Sequence, residues 1–156
     1  MHDASYQAIV SAPGFSVGIR CTDDEVLGLD YLQRCAASVP KSLLAKEVVR
    51  QLCAYLANPR FQFGLPLAPA GTSFQRRVWG GISAIPAGAT RTYGELAASI
   101  RSGPRAVGNA CGANPYPLVV PCHRVVASGG ALGGFARNRG GFLLDIKRWL
   151  LTHEGR

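Results

Sequence analysis

Apolar and polar residues alternate along the first part of the chain, and a period of two predicts β-strands. Two alternating segments, Tyr6–Ala12 and Phe15–Cys21, flank the turn-forming pair Pro13-Gly14 and so predict a hairpin. A third segment, Glu25–Tyr31, has the composition of another strand. We therefore expect a small antiparallel sheet at the start of the fold.

The next pattern is helical, because apolar residues recur every four positions within Ser42–Ala57 until Asn58-Pro59 interrupts them. The residues of this stripe are Leu44, Val48, Leu52 and Leu56. Together with a connecting segment at Gly64–Gly71, these elements make residues 1–70 a small N-terminal α/β domain. It contains no polar cluster that suggests chemistry, so we interpret it as a scaffold.

After residue 70 the pattern changes to short helices that begin at capping boxes. Thr72–Gln75 begins a helix that ends at Ile85–Gly88, and Thr92–Glu95 begins a shorter helix that reaches Ile100. The apolar face of the first of these helices carries Phe74, Val78 and Ile82. Both boxes predict well-defined helix starts.

A third helix is predicted over Pro104–Ala113, since proline suits a first helical turn and Asn114-Pro115 ends the segment. The two helices on either side of a tight turn containing Gly103 form a helix-turn-helix pattern. We therefore expect residues 71–156 to form a mostly helical C-terminal domain. The predicted fold class is α+β.

The third helix is almost bare of long side chains. Its small residues are Ala106, Gly108, Ala110, Gly112 and Ala113, and we interpret Cys111 among them as a packing residue. Glycine within a helix costs about 1 kcal/mol relative to alanine, so the backbone is expected to approach another surface closely. That surface is either a neighbouring helix or the minor groove of a nucleic acid, and composition favours neither.

The positive charge is confined to one half of the chain. The net charge is +8, but residues 1–70 hold six basic and six acidic residues, whereas residues 71–156 hold eleven basic and three acidic ones. Ten of these eleven bases are arginines, which bind phosphate groups in a bidentate manner. The asymmetry favours a nucleic-acid partner over a surface that is basic only for solubility.

Composition excludes several classes of protein. With 47% hydrophobic residues and only short apolar runs, the chain is expected to fold compactly without a membrane-spanning segment. No basic segment followed by an apolar one opens the sequence, so we expect no secretion signal and a cytoplasmic location. The five cysteines lack zinc-site spacing, so we expect free thiols, no metal and no cofactor. They are Cys21, Cys35, Cys53, Cys111 and Cys122.

The most informative chemistry lies in Leu118–Val126, which has the apolar character of a buried strand and contains Cys122 directly followed by His123. A nearby imidazole favours the nucleophilic thiolate form of cysteine. Neighbouring strand residues point to opposite faces, so a turn or a bridging water is needed to couple the two groups. Three acids of this half could orient the imidazole: Glu95, Asp145 and Glu154. A buried cysteine beside a structural histidine is the alternative.

Residues 121–125, with the sequence PCHRV, strongly resemble the active-site signature of the O6-alkylguanine-DNA alkyltransferases. Further motifs follow that family's order: Thr72–Gln75, Val78-Trp79, Ile85–Gly88, Thr92-Tyr93, Arg105–Gly108, Asn114-Pro115, Gly129–Gly134 and Trp149–Glu154. The resemblance covers residues 71–156, whereas residues 1–70 match only in kind, as the family's variable N-terminal α/β domain.

The resemblance implies that Cys122 accepts an alkyl group, chiefly methyl, from O6 of guanine, and also from O4 of thymine, in one irreversible transfer. His123 would activate the thiol through a water molecule, with Glu154 hydrogen-bonded to His123. Asn114 would hold the turn before the active-site segment. Tyr93 would assist extrusion of the nucleotide and donate a proton to the departing guanine.

The resemblance also implies contacts with DNA, because the target nucleotide must leave the duplex from the minor-groove side. Arg105 would fill the gap that it leaves. The expected DNA-contacting residues are Thr92, Tyr93, Arg105, Ala106, Gly108, Asn109, Gly112, Arg124, Arg137 and Arg139. The expected base pocket is lined by Pro117, Val125, Phe135 and Ala136, with the Val125 backbone reading the guanine edge.

The sequence departs from the family's pattern in two places. The stretch Ser99–Pro104 is shorter than usual, and a later loop is longer, with Phe135 and Ala136 where the family has Tyr and a small hydroxyl residue. We expect Arg137 and Arg139 in this loop to contact phosphate or the mouth of the lesion site. A mobile basic loop is the alternative.

The expected partner is double-stranded DNA bearing O6-alkylguanine, bound by a monomer, with cooperative binding along DNA left open. A different class of function is a non-catalytic alkyltransferase-like module that binds lesions, but such proteins replace the cysteine. A bifunctional sensor would need a zinc-binding cysteine cluster. A thiol hydrolase would turn over repeatedly, whereas a self-alkylating protein stops after one equivalent.

Overall fold

A computed structural model describes residues 6–133 and 141–155 of the chain. The chain divides into two compact units, Met1–Pro69 and Ala70–Arg156. Within the described ranges, no helix combines the length and the apolar character needed to cross a membrane.

The first unit contains an antiparallel sheet of three strands in chain order: β1 (Ala8–Ala12), β2 (Phe15–Cys21) and β3 (Val26–Leu32). The hairpin between β1 and β2 is tight, since Ala12 pairs with Phe15 across Pro13 and Gly14. Gly14 has a φ of 85°, which glycine adopts without steric cost. The sheet and its turn confirm the sequence prediction.

Helix α1 (Leu43–Ala57) packs on β1 and β2 of this sheet. It begins where the Ser42 side chain accepts a hydrogen bond from the Ala45 amide and ends at Asn58, as predicted. Its buried face includes Val48, Leu52 and Tyr55. The connecting segment lies beside β3, where Val26 exchanges backbone hydrogen bonds with Pro66 and Ala68.

In the second unit, α2 (Ser73–Ser83) and α3 (Tyr93–Ser99) begin at the two predicted capping boxes. In each box the threonine hydroxyl accepts from the backbone amide three residues later, while the side chain of that residue accepts from the threonine amide. Val78 and Ile82 of α2 and Leu96 of α3 are completely buried. The two predicted helix starts are confirmed.

Helix α4 (Pro104–Gly112) follows α3 after a short turn and packs against both α2 and α3. Val107 and Ala110 form its buried face. The indole nitrogen of Trp79 donates a hydrogen bond to the Ala110 carbonyl at 2.8 Å, which satisfies a backbone acceptor in the last turn. The predicted third helix is confirmed, while its role as a helix-turn-helix reader stays a prediction.

The expectation of a strand through Leu118–Val126 is wrong for most of that segment. Residues Cys122–Arg124 form a 3-10 helix, and only Val125–Val126 (β5) is extended, paired in parallel with Arg91–Thr92 (β4). Leu118 has a φ of 77°, which breaks an extended course, and Pro121 lacks an amide for a sheet ladder. Hydrophobicity therefore predicted burial correctly but not backbone geometry.

A further 3-10 turn spans Ser128–Gly130, and helix α5 (Gly141–His153) completes the unit. The sequence analysis did not predict α5 as a helix. It packs near the 3-10 helix Cys122–Arg124 and so brings the end of the chain to the PCHRV segment. The overall architecture confirms the predicted α+β class.

Candidate active site

Cys122 begins the 3-10 helix and is buried, with 5% of its surface exposed. Its sulfur accepts a hydrogen bond from Nδ2 of Asn114 at 3.2 Å. The same Nδ2 donates to the Val120 carbonyl at 2.9 Å, and Oδ1 of Asn114 accepts from the Tyr116 amide at 2.9 Å. One side chain therefore fixes both the loop before the cysteine and the sulfur itself.

His123 is 1% exposed and lies against Glu154, which follows α5. Nε2 of His123 is 2.8 Å from Oε2 of Glu154. The carboxylate favours the tautomer in which Nε2 carries the proton. Nδ1 is then the acceptor nitrogen, and it is buried with no hydrogen-bond partner among the residues described. Burial, helped by the charges of Arg124 and Lys147, lowers the pKa of His123 against the opposing effect of Glu154, so the resting imidazole is neutral.

Glu154 also binds Arg124 through two hydrogen bonds of 2.9 Å, from Nε to Oε1 and from Nη2 to Oε2. Nη1 of Arg124 donates to the Ile85 carbonyl at 2.7 Å. The Arg124 side chain is 11% exposed. The guanidinium is thus directed inward, and three of its five N–H donors bind protein acceptors, while the expected contact of Arg124 with DNA stays a prediction.

Cys111, interpreted from sequence as packing, lies beside the candidate nucleophile. The Cys122 thiol donates a hydrogen bond to the Cys111 carbonyl oxygen at 3.8 Å. Interaction with the Cys111 thiol, burial and the charge of that neighbouring thiol raise the pKa of Cys122 well above its ordinary value. The same interaction lowers the pKa of Cys111. The pair therefore carries at most one negative charge near neutral pH.

Lys147 is a residue of this site that the sequence analysis missed. It is completely buried on α5, and its ammonium donates to the carbonyls of Val125 at 2.8 Å and Leu132 at 2.7 Å. Burial lowers its pKa to about 8, although the nearby thiols Cys111 and Cys122 act in the opposite direction. A mostly protonated lysine thus supplies positive charge near the two sulfurs.

The sequence contained a signal for Lys147. It occupies the apolar stripe of α5 with Leu144 and Leu151, which are also buried, at the helical spacing i, i+3 and i+7. Lysine is rarely found fully buried unless its ammonium is bound by polar groups. A lysine at a core position of a helix therefore indicated that buried polar groups bind its ammonium.

Tyr93 is the first residue of α3, and its ring centre lies 5.8 Å from Nζ of Lys147. Burial, followed by the charges of Cys111 and Cys122, raises the pKa of the Tyr93 hydroxyl above its ordinary value. The hydroxyl is therefore protonated at neutral pH and can donate a proton or a hydrogen bond. The structure places this predicted residue close to the cysteine pair.

Helix α4 presents its polar and small residues away from the packed interior. Arg105 and Asn109 are exposed, and Ala106, Gly108 and Gly112 are partly exposed. A Cβ atom built on Gly108 would meet nothing within 4 Å. Packing among the described residues therefore does not require this glycine, which disfavours the neighbouring-helix interpretation.

Three of the remaining predicted site residues lie within the described structure, and four lie outside it. Thr92 is partly buried and its hydroxyl caps α3, Pro117 is partly buried in the loop before Cys122, and the Val125 carbonyl accepts from Lys147. Phe135, Ala136, Arg137 and Arg139 lie outside the described residues. Their expected roles in the pocket and in DNA contact stay predictions.

The second unit also contains a cavity of about 610 Å³. Its described lining residues are Thr90, Val126, Leu132, Arg148, Leu151, Thr152 and Gly155. Neither Cys122 nor His123 is among them. Across the described parts of the chain, no group of three or more His, Cys, Asp or Glu residues is arranged to hold a metal ion.

Comparison with known proteins gives a consistent result. Residues 73–156 match the family model described as 6-O-methylguanine DNA methyltransferase, DNA binding domain. A methylated-DNA–protein-cysteine methyltransferase of Methanosarcina acetivorans is 47% identical over 112 residues, which are 70% of this chain and 69% of that protein. The constitutive methylated-DNA–protein-cysteine methyltransferase of Bacillus subtilis is 43% identical over 110 residues, 69% of this chain and 64% of that protein.

Among solved structures, the Mycobacterium tuberculosis protein OGT in complex with DNA has a TM-score of 0.79 and 35% sequence identity. The match covers 94% of this chain and 90% of that one. Both units of the chain thus have counterparts in a solved relative, although sequence alone resembled the family only over residues 71–156. The chain belongs to the methylated-DNA–protein-cysteine methyltransferase family.

Proposed function

We propose that this DNA-repair protein removes alkyl groups, chiefly methyl, from O6 of guanine, and also from O4 of thymine, by irreversible transfer to Cys122. Its relatives are named for transfer of methyl groups from DNA to a protein cysteine. The observation that carries the assignment is the arrangement around the PCHRV segment. Asn114 binds the Cys122 sulfur at 3.2 Å, while the adjacent His123 is held by Glu154 at 2.8 Å.

The proposed transfer is a single displacement at carbon. The Cys122 sulfur attacks the alkyl carbon, a sulfur–carbon bond forms, the carbon–O6 bond breaks, and its electron pair stays on the guanine oxygen. The thiol proton passes to Nδ1 of His123 through a bridging water. The neutral resting imidazole and its Nε2 contact with Glu154 support this role, because the carboxylate stabilises the imidazolium that forms.

Tyr93 is proposed to supply a proton to the departing guanine. The raised pKa of its hydroxyl supports this role, since an ionised tyrosine could not donate. The ammonium of Lys147 near the sulfur pair favours the thiolate at the moment of attack. Both residues belong to the same buried cluster as Cys122.

We propose that α4 binds the minor groove and that the target nucleotide leaves the stack to reach Cys122. An atom inside the stack is otherwise inaccessible, and extrusion costs a few kcal/mol, which is smallest for a poorly paired base. The bare Gly108 surface supports a close approach of the helix backbone to DNA. Arg105, exposed in the first turn of α4, is proposed to occupy the space that the nucleotide leaves.

The remaining arginines of the second unit are proposed to bind phosphates without reading sequence, which suits a protein whose target occurs anywhere in DNA. All five cysteines are free in the structure, which supports action in the reducing cytoplasm. The alternative, a lesion-binding module without chemistry, is disfavoured because Cys122 is present at the position that such proteins replace.

The decisive experiment measures the mass of the intact protein after mixing with one equivalent of duplex containing O6-methylguanine. We expect a gain of one methyl group per protein, located on Cys122 by peptide mapping. Cys122→Ala is expected to bind the duplex without gaining mass, and Cys53→Ala, which changes an exposed cysteine, is expected to react fully. Demethylation by Cys122→Ala would refute the assignment of the nucleophile.

Kinetics distinguishes the remaining alternatives. With a tenfold excess of methylated duplex, repair is expected to stop at one methyl group per protein. Continued product formation would indicate a hydrolase that regenerates its thiol. Binding of the lesion without any transfer by the unmodified chain would favour the lesion-binding module.

A further inference from the structure

The proposed alkyl transfer uses one cysteine, yet the structure places a second cysteine beside it. The Cys122 thiol donates a hydrogen bond to the Cys111 carbonyl oxygen at 3.8 Å, and the two thiols shift each other's pKa. The Cys122 sulfur therefore lies against the backbone of Cys111 at the end of α4. A disulfide between the two residues requires their Cβ atoms to lie about 3.5–4.5 Å apart.

The surroundings favour reaction between these two sulfurs. Lys147 is close enough to both thiols to stabilise a thiolate electrostatically, while the interaction between the thiols lowers the pKa of Cys111 and raises that of Cys122, so negative charge is favoured on Cys111. Cys111 lies in the last turn of α4 and is followed by Gly112 and Ala113. Small residues at a helix end tolerate a local change of backbone angles.

We propose that Cys111 is a resolving thiol for Cys122, so that oxidation by a hydroperoxide produces a reversible Cys111–Cys122 disulfide instead of irreversible oxidation of the acceptor. This is a modification site distinct from alkyl transfer. The two cysteines enclose a loop of ten intervening residues, Gly112–Pro121, that already brings the Cys122 sulfur to the Cys111 backbone in the reduced protein.

The Cys111–Cys122 disulfide forms in two steps. A thiolate of the pair attacks one oxygen of the hydroperoxide and becomes a sulfenic acid. The oxygen–oxygen bond breaks, and the other oxygen leaves as hydroxide or alkoxide. The second thiol then attacks the sulfenic sulfur, the sulfur–sulfur bond forms, and water leaves. The same disulfide results whichever sulfur is oxidised first, and a dithiol reductant returns both thiols.

The alternative fate of Cys122 is loss of function. Without a resolving thiol, a sulfenic acid reacts with more peroxide to give a sulfinic acid, which ordinary thiols do not reduce. A protein that acts once per molecule gains from keeping its acceptor recoverable. The disulfide form is expected to be inactive in methyl transfer until it is reduced.

The test uses the full chain, hydrogen peroxide and peptide mapping. Trypsin releases Ala106–Arg124 as one peptide that contains both cysteines and no internal cleavage site. The protein is treated with peroxide, and the remaining free thiols are then blocked with an alkylating reagent. We expect this peptide to carry no blocking group and to be lighter than its dithiol form by two hydrogen atoms. A peptide with blocked Cys111 and sulfinic Cys122 would overturn the proposal. This readout does not depend on alkyl transfer, so it remains informative if the proposed function fails.

Recovery of function provides the second arm. Each variant is oxidised, treated with dithiothreitol, and compared with its own untreated sample in methyl transfer. The unmodified chain and the control Cys53→Ser are expected to regain most activity, whereas Cys111→Ser and Cys111→Ala are expected to regain little and to accumulate sulfinic Cys122. Equal recovery by the Cys111 variants and the unmodified chain would overturn the proposal.

Discussion

Arg124 and Glu154 form a bidentate ion pair beneath the active-site segment, with both nitrogen–oxygen distances at 2.9 Å. The same carboxylate binds His123, so one buried acid organises two consecutive residues of the PCHRV segment. The pair explains why an arginine follows the cysteine and histidine in a position that sequence reasoning assigned to DNA. We expect Arg124 to hold the Glu154 carboxylate in the orientation that binds His123.

Removal of the Arg124 guanidinium is expected to destabilise the protein. Arg124→Met removes two hydrogen bonds and the paired charge from a buried carboxylate, which costs about 3 kcal/mol or more of unfolding free energy. The matched control is Arg148→Met, because Arg148 forms an exposed ion pair with Asp145 that is worth less than about 1 kcal/mol. Urea unfolding of both variants measures the difference, and equal losses would contradict the role of Arg124.

Asn114 is expected to influence both stability and the reactivity of the nucleophile. Asn114→Ala removes three hydrogen bonds and should lower the unfolding free energy by about 1–3 kcal/mol. It should also raise the pKa of Cys122 further, since the Asn114 hydrogen bond lowers it. Iodoacetamide labelling of Cys122 as a function of pH, read by peptide mass, measures that shift. Asn109→Ala, at an exposed position of α4, should leave the labelling profile unchanged.

The burial of Lys147 predicts a specific pH dependence of stability. Its pKa falls from 10.5 in the unfolded chain to about 8 in the folded one, so between these values the unfolded state binds more protons. The unfolding free energy contributed by Lys147 therefore rises with pH across this window, and the penalty for burying the charge is fully present below pH 8. The total change is about 3 kcal/mol at most.

Lys147→Met isolates this contribution from the other titrating groups. Both proteins are unfolded by denaturant from pH 7.5 to 10.5. As pH rises, the unfolding free energy of the unmodified chain should increase relative to that of Lys147→Met. A difference that stays constant over this range would show that Lys147 does not titrate between the two states as the structure implies.

Substitutions of Gly108 are expected to change protein stability and DNA affinity independently. Because a Cβ there meets nothing within 4 Å, Gly108→Ala should stabilise α4 by up to about 1 kcal/mol. Gly108→Leu should fold equally well but should lower affinity for duplex DNA by about tenfold, corresponding to about 1.4 kcal/mol. Thermal unfolding and fluorescence anisotropy with a labelled duplex check the two effects. Unchanged affinity of Gly108→Leu would contradict contact between this face and DNA.

Local sequence signals predicted most of the secondary structure because the residues that determine it are close together in the chain. The two capping boxes and Pro104 fixed three helix starts, and Pro13-Gly14 located the hairpin. The course of Leu118–Val126 could not be predicted in this way. Its apolar residues are compatible with either a strand or a compact turn, and the side chain of Asn114 decides between them through contacts with Val120 and Cys122.

The site was predictable where a family motif named its members, and less so where distant segments meet. The Cys122, His123 and Glu154 set came from the resemblance; the structure brings His123 and Glu154 together, and the coupling of Cys122 to His123 stays a prediction. The proximity of Cys111 to Cys122 depends on how α4 packs, which no spacing in the sequence reveals. The inward turn of Arg124 likewise depends on the placement of Glu154 after α5.

The 3-10 geometry of Cys122–Arg124 has a consequence for how this segment can vary. Three residues complete one turn, so each successive side chain is rotated by about a third of a circle and faces a different part of the protein. The sulfur meets Asn114, the imidazole meets Glu154, and the guanidinium reaches the Ile85 carbonyl. Inserting or deleting a single amino acid here would redirect all three groups at once, which leaves this short stretch no tolerance for changes in length.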